Sequence, residues 1–389
     1  MHPFTDRVTP LRPEGAYAVL GHAQALEAQG KKIIHLEIGQ PDFPTPANVS
    51  EAGIAAIRLG KTKYTPPAGI PQFREIIADY AGRWRGLKID SAQVVVGGGS
   101  KPGLFFPTLA LVAPGDEVLY PDPGFPTYEA MIRVAGGIPV PVPLREENQF
   151  SFDLDIFDAM LSSRTKLIVL NSPGNPTGGV IPLEDLKHIA EKACKHNCWV
   201  LSDEIYTQLV YDGMMAHSIA EVDGMLERTI IVDGFSKTYS MTGWRLGYMI
   251  TPIALAERLE LLVTHATGCT AAFTQYAGME ALTGPQDFVV EMVAEYQRRR
   301  DRMLELVNLI PGVHAQKPQG AFYVFPNVKS YGLSSKEIAT RLIDEAGVAI
   351  LAGTDFGCEG EGYLRLVYAV SMDMIEEGLE KIAAWFKSL

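Results

Sequence analysis

The chain has 389 residues, 47% hydrophobic and 21% charged, enough for two domains and a large core of ordinary globular composition. Acidic side chains number 46 and basic ones 34, and the net charge of −12 repels a phosphate backbone, so nucleic acid is not expected as a partner. A small anionic ligand must instead be caught by a local cluster of cations.

The start, Met1 to Arg7, has no basic segment leading into an apolar run. Leu104 to Ala113 is the nearest approach to a membrane-length stretch, and Pro107 and Thr108 interrupt it; a cytoplasmic protein is expected. Leu11 to Gly30 reads as an amphipathic helix, with Tyr17, Leu20, Ala23 and Leu26 at helical spacing. A short strand follows from Lys32 to Ile38 and ends in a turn at Gly39, Pro41 and Asp42. Ala47 to Gly60 is a second helix. Short apolar strands are then predicted at 93–96, 117–120, 138–142, 167–170, 199–202, 229–232 and 245–250, with helices at 102–112, 125–135 and 182–196 among them. This alternation implies right-handed crossovers and a mainly parallel sheet of seven strands sandwiched by helices, an α/β fold. Cys194, His196 and Cys198 lie close together but lack a second ligand pair, so no metal is expected; with Cys269 and Cys358 the thiols read as buried and reduced. Beyond about Pro252 the texture changes to long helices, 253–262 and 288–309, the latter carrying Arg298, Arg299 and Arg300 on an expected solvated face. Strands at 320–326 and 362–369 and a last helix at 372–389 form a smaller α+β layer.

Chemistry concentrates just after strands, where ligands gather in such sheets. Val94 to Pro102 is a strand, a glycine turn and a helix start, an arrangement that lets backbone N–H groups meet an anion. Asp203 ends the strand before Glu204, Ile205 and Tyr206; a carboxylate there can hold a protonated ring nitrogen, or simply cap a helix. From Asp233 to Gly247 the chain leaves a buried strand and presents Lys237 behind the small residues Gly234 and Ser236, with Arg245 eight positions on. A lysine amine condenses with an aldehyde when its surroundings disfavour the ammonium form, and a planar guanidinium grips a phosphate through two hydrogen bonds. An aldehyde and a phosphate on one flat ring describe pyridoxal phosphate. Arg365 lies inside an apolar strand, where a substrate carboxylate or a structural salt bridge must compensate its charge.

The run Gly234, Ser236-Lys237, Ser240, Gly243, Arg245 and Gly247 resembles the lysine-attachment signature of the class I aminotransferases, and further motifs follow that family's order from Gly39 to Arg365. The resemblance implies a large cofactor-binding domain over 48–282 and a small domain built from 1–47 and 283–389. It implies that Lys237 is catalytic and carries the cofactor. Gly99, Ser100 and Lys101 map onto the phosphate cradle, with Ser236 and Arg245 beside it; Phe125 stands where an aromatic ring stacks on the pyridine. By the same resemblance Asp203 faces the ring nitrogen, Asn175 and Tyr206 face the ring oxygen, and Gly39, Asn175 and Arg365 contact the substrate. Tyr64 corresponds to a tyrosine that reaches the neighbouring subunit's cofactor phosphate, so a homodimer is expected.

The family's reaction moves an amino group between an L-amino acid and a 2-oxoacid in two half-reactions, with the lysine as general base and acid. Glutamate and 2-oxoglutarate are expected as one pair. One branch places a cation for a distal carboxylate in the segment matching Leu104 to Val112, which here holds no lysine or arginine and counts against a strict aspartate enzyme. The alternative is a β-lyase that releases ammonia and pyruvate from cysteine conjugates.

Overall fold

The computed structural model describes residue 5 and residues 7–389; Met1 to Phe4 and Asp6, read above for a leader, lie outside the described residues. The chain opens with helix α1, Gly15–Glu27, and strand β1, Ile34–His35. Helices α2, Ala47–Arg58, and α3, Pro71–Arg85, precede β2, Val94–Gly97, and α4, Lys101–Leu111. Then come β3, Glu117–Asp122; α5, Thr127–Ala135; β4, Ile138–Pro143; α6, Leu154–Met160; β5, Thr165–Asn171; α7, Leu183–Lys195; and β6, Trp199–Asp203. Strands β7, Thr229–Gly234, and β8, Gly247–Ile250, lead to helices α8, Ile253–Ala266, α9, Ala272–Thr283, and α10, Asp287–Asn308. The remainder holds β9, Tyr323–Val324; α11, Ser335–Arg341; β10, Val348–Ala349; β11, Leu351–Ala352; β12, Leu364–Val367; and α12, Met372–Lys387.

Seven strands form one sheet in the order β2-β8-β7-β6-β5-β3-β4, as expected an α/β layer, parallel except for β8, which runs antiparallel to both neighbours. Strands β2, β5, β6, β7 and β8 are buried almost throughout because helices cover both faces, so they read as continuous apolar runs instead of alternating ones. The parallel strands bring their carboxyl ends to one edge, which places Gly97, Asn171, Asp203 and Gly234 along it. Away from this sheet, β1 pairs in parallel with β10, joining residues near the two ends of the chain, while β12 lies between β11 and β9.

Several expectations need correction. Arg299 and Arg300 are buried, and only Arg298 of the trio faces solvent, because successive residues of α10 turn by about a hundred degrees. Arg299 is held by Asp42 at 2.8 Å and by Glu295, and Arg300 by both oxygens of Asp212 at 2.9 Å, by Asp301 and by the Pro318 carbonyl. Burial of a guanidinium is tolerable only with such pairing. The strand expected over 320–326 pairs as a ladder only at Tyr323–Val324, with single bridges at Gly320 and Asn327, and the one expected over 32–38 shortens to Ile34–His35. The first helix begins at Gly15, after Pro13, and not at Leu11. Cys194 and Cys358 are exposed, and only Cys198 of the four free thiols is buried. No helix among the described residues is long and apolar enough to cross a membrane.

Candidate active site

A cavity of about 690 Å³ opens at the carboxyl edge of the sheet. Lys237 reaches it from the turn after β7, Asp203 from the end of β6, Asn175 from the turn after β5, Ser100 from the turn after β2 and Lys101 from the start of α4. Phe125, Tyr206, Ser236, Arg245, Gly39 and Arg365 complete the set of predicted residues that line it. Two predicted residues do not. Gly99 lies behind the wall, at φ +94°, where a Cβ would collide with the Arg245 guanidinium, so glycine is needed for that approach. Tyr64 is 95% exposed and does not line the cavity of its own chain.

Lys237 Nζ donates to the Gly39 carbonyl at 2.6 Å and is only partly open to the cavity. Loss of water, then the positive charges of Arg365 and Arg245, push its pKa down to about 8, with Asp203 pulling the other way. Asp203 is buried, accepts from Tyr128 Oη at 2.8 Å and from the Ile205 N–H at 3.4 Å, and burial pushes its carboxyl up to about 6. It is a carboxylate with neutral donors and no cation in hydrogen-bonding contact. Tyr206 Oη and Tyr323 Oη share a hydrogen bond of 2.6 Å beside it.

Arg245 is held at φ +53°, a left-handed conformation costly for a residue with a side chain, and strain of that kind collects where a side chain must be aimed. Its guanidinium donates to the carbonyls of Thr242 at 3.0 Å and Gly98 at 3.3 Å. Arg365 is buried, donating to the Glu37 carbonyl and to Asn175 Oδ1 at 3.3 Å, between the rings of Tyr323 and Phe356 at 4.6 and 4.9 Å. Its Nε has no partner, and burial lowers its pKa. A desolvated guanidinium facing neutral oxygens with a spare N–H fits a carboxylate.

The donor set fits pyridoxal phosphate on the same grounds. Lys237 is an amine already biased toward its neutral form, Asp203 a buried carboxylate without a cation partner and suited to a ring N–H, and Gly99, Ser100, Lys101, Ser236 and Arg245 a glycine turn with hydroxyls and cations suited to a phosphate. The cavity also holds residues that the sequence reading did not single out, Glu14, Tyr128, Asn171 and Tyr323, and Tyr17, which was read only as part of a helix face. Tyr128 lies three positions after Phe125 and Asn171 four before Asn175, so both stood within reach of a local reading. Glu14 and Tyr323 come from distant segments with no local signal.

A model of the family described as aminotransferase class I and II matches residues 31–382. The chain is 38% identical over 382 residues, 97% of each protein, to the aromatic-amino-acid aminotransferase 2 of Thermococcus litoralis. It is 40% identical over 355 residues to the aspartate aminotransferase of Pyrococcus abyssi, covering 90% of this chain and 91% of that one. The solved structure of the Thermus thermophilus aspartate aminotransferase with maleate superposes with a TM-score of 0.94 at 38% identity, over 99% of this chain and 100% of that one.

Proposed function

The chain belongs to the class I and II aminotransferases, a pyridoxal-phosphate-dependent family, and we propose that it moves an amino group between an L-amino acid and a 2-oxoacid. Glutamate and 2-oxoglutarate serve as one pair, and the protein works as a cytoplasmic homodimer. The observation that carries this reading is the placement of Lys237, a lysine biased toward its free amine, in one cavity with Asp203, Arg245 and Arg365.

In this reading Lys237 would hold the cofactor, Arg245 with Ser100, Lys101, Ser236 and the Gly99 turn its phosphate, and Asp203 its ring nitrogen. When bound, the cofactor supplies an electron sink for the bond to be broken at the substrate α-carbon. Arg365 takes the α-carboxylate, replacing the neutral oxygens that occupy it now with a counter-ion. That fixes the α-carbon relative to Lys237, whose Nζ takes the α-proton and returns it as general base and acid. Gly39 supplies the carbonyl that steers the amine, and Tyr128 orients the Asp203 carboxylate from behind. Tyr206 and Asn175, which line the same cavity, would donate to the ring oxygen.

Two half-reactions sharing one lysine give double-displacement kinetics. Initial rates at several fixed oxoacid concentrations should give parallel lines in double-reciprocal plots, with a panel of aromatic, aliphatic and acidic donors identifying the amino acid. Intersecting lines would contradict the cycle. Ammonia release from an amino acid without any oxoacid would contradict amino transfer itself.

A further inference from the structure

Strand β3 ends at Asp122, a buried carboxylate that does not line the cavity. Among the described residues its partners are not cations but two backbone N–H groups, those of Cys358 at 3.1 Å and Glu359 at 3.2 Å, 236 and 237 positions away. Gly357 stands at φ +129°, where a Cβ would run into the Asp122 carboxylate, so glycine lets the two approach. Alongside, the Gly124 N–H donates to the Phe356 carbonyl at 2.8 Å. The end of β3 thus holds the turn over 353–360, which leaves β11 just after Leu351 and Ala352, the register partners of Arg365 and Leu364 on β12. Phe356, buried in that turn, places its ring 4.9 Å from the Arg365 guanidinium. A buried carboxylate without a cation costs stability; what it returns here is a pair of charge-assisted bonds, stronger than a neutral side chain would give the turn.

Resting on the assignment of Arg365 to the substrate α-carboxylate, we propose that Asp122 is a positioning residue for substrate binding, acting through Phe356. Flanked by the rings of Phe356 and Tyr323, the guanidinium offers a carboxylate its edge, and a two-point grip demands that its plane be fixed. Asp122 fixes that plane at one remove: its two bonds hold the turn, the turn holds the ring, and the ring holds the guanidinium. Loss of water pushes Asp122 up to about 6, the two N–H bonds pull it down, and Glu359 and then Glu129 of α5 push it up again. Arg133 of α5 is held by Glu129 at 2.7 Å, and Tyr120 and Cys358 are the other titratable groups at this corner among the described residues. The hold is therefore complete above about pH 6 and fades as the carboxylate takes up a proton below it.

Two unreactive acids that share a carboxylate but differ in the rest of the molecule, glutarate and 3-phenylpropanoate, probe this grip on the holoenzyme without turnover. In calorimetric titrations well above pH 6, Asp122→Asn should weaken both by the same factor, about tenfold, the scale of one charge-assisted hydrogen bond. Phe356→Leu should do likewise, and the double variant should bind no more weakly than the weaker single one, because both act through one ring. The advantage of the wild type over each single variant should shrink toward unity as the pH falls through about 6, since groups common to all the proteins cancel from the ratio. Unchanged absorbance of the bound cofactor shows that a variant is folded with its cofactor subsite intact. If Asp122→Asn does not fold, the ratio of wild type to Phe356→Leu still decides, because that variant leaves Asp122 in place. Affinities within twofold of the wild type, losses that add in the double variant, a loss confined to one acid, or a ratio that does not change with pH overturns the role of Asp122. If neither acid binds the wild type, the reading of Arg365 as a carboxylate site falls, and this inference with it.

Discussion

Lys237 carries a folding penalty that its proposed role explains. Largely cut off from water and near Arg365 and Arg245, its ammonium is disfavoured in the folded chain and unhindered in the unfolded one. Below about pH 8 both states are charged and the folded state bears the full penalty; above it the folded amine sheds its proton, and the penalty is gone by the ordinary lysine value of 10.5. Cofactor-free Lys237→Met should therefore be more stable than the wild type at pH 7 by about 2–3 kcal/mol, allowing for cavity water. The gap should close between pH 8 and 10.5 in urea titrations, and a gap that does not depend on pH would refute this account. Asp203 presents the opposite case, an acid whose burial disfavours the charge that its role requires. Asp203→Asn keeps the shape and the Tyr128 contact but removes the charge. It should lower kcat by about 10²–10³-fold, the magnitude typical for loss of one preorganised electrostatic group, with little change in melting temperature. A kcat within a factor of a few of the wild type would remove Asp203 from the mechanism.

Beneath the site, a buried ionic network ties together the elements that carry these side chains. Glu204, next to Asp203, accepts from Arg85 of α3 at 2.9 and 2.5 Å, from Ser202 at 2.9 Å and from Ser218 at 2.5 Å. Asp233 of β7, four positions before Lys237, lies 3.6 Å from the same guanidinium and accepts from Tyr248 of β8 at 2.9 Å. Two carboxylates therefore share one arginine; burial pushes Asp233 up to about 7 although Arg85 pulls it down. The network fixes the ends of β6 and β7 to each other, which sets the spacing of Asp203 and Lys237. Glu204→Gln leaves the more distant Asp233 as the only carboxylate facing Arg85 and should cost about 3–5 kcal/mol, the usual consequence of removing one member of a buried pair. Urea unfolding measures it, and a loss below about 1 kcal/mol would mean that Asp233 compensates.

For the whole molecule, the proposed dimer places the remaining group. Tyr64 is almost fully exposed, with Ile57 and Leu59 also exposed nearby in sequence, in a segment that a second copy of the chain would cover. If Tyr64 completes the partner's site, Lys237→Ala and Tyr64→Ala chains are each inactive alone but complementary when mixed. A hybrid dimer holds one intact site, so random reassortment of equal amounts should restore about a quarter of the wild-type activity. No recovery after denaturation and joint refolding, with dimers verified by light scattering, would show that Tyr64 acts within its own chain or not at all.

The amino-acid sequence by itself determined the family, the seven-stranded α/β sheet and the local stations of the cavity. Glycine, proline and asparagine punctuate each strand end, and a parallel sheet gathers those ends on one edge, so Lys237, Asp203, Asn175 and Ser100 were legible as neighbours. Arg365 was legible because a lone charge in an apolar strand demands a partner. Only the tertiary structure decided which distant groups those residues meet. The Glu14–Lys101 pair spans 87 positions and the Arg300–Asp212 pair 88, and nothing in the local spacing of either reveals its partner. The physical reason is range: periodicity and turn chemistry act over a few residues, whereas desolvation and charge pairing depend on where whole elements come to rest.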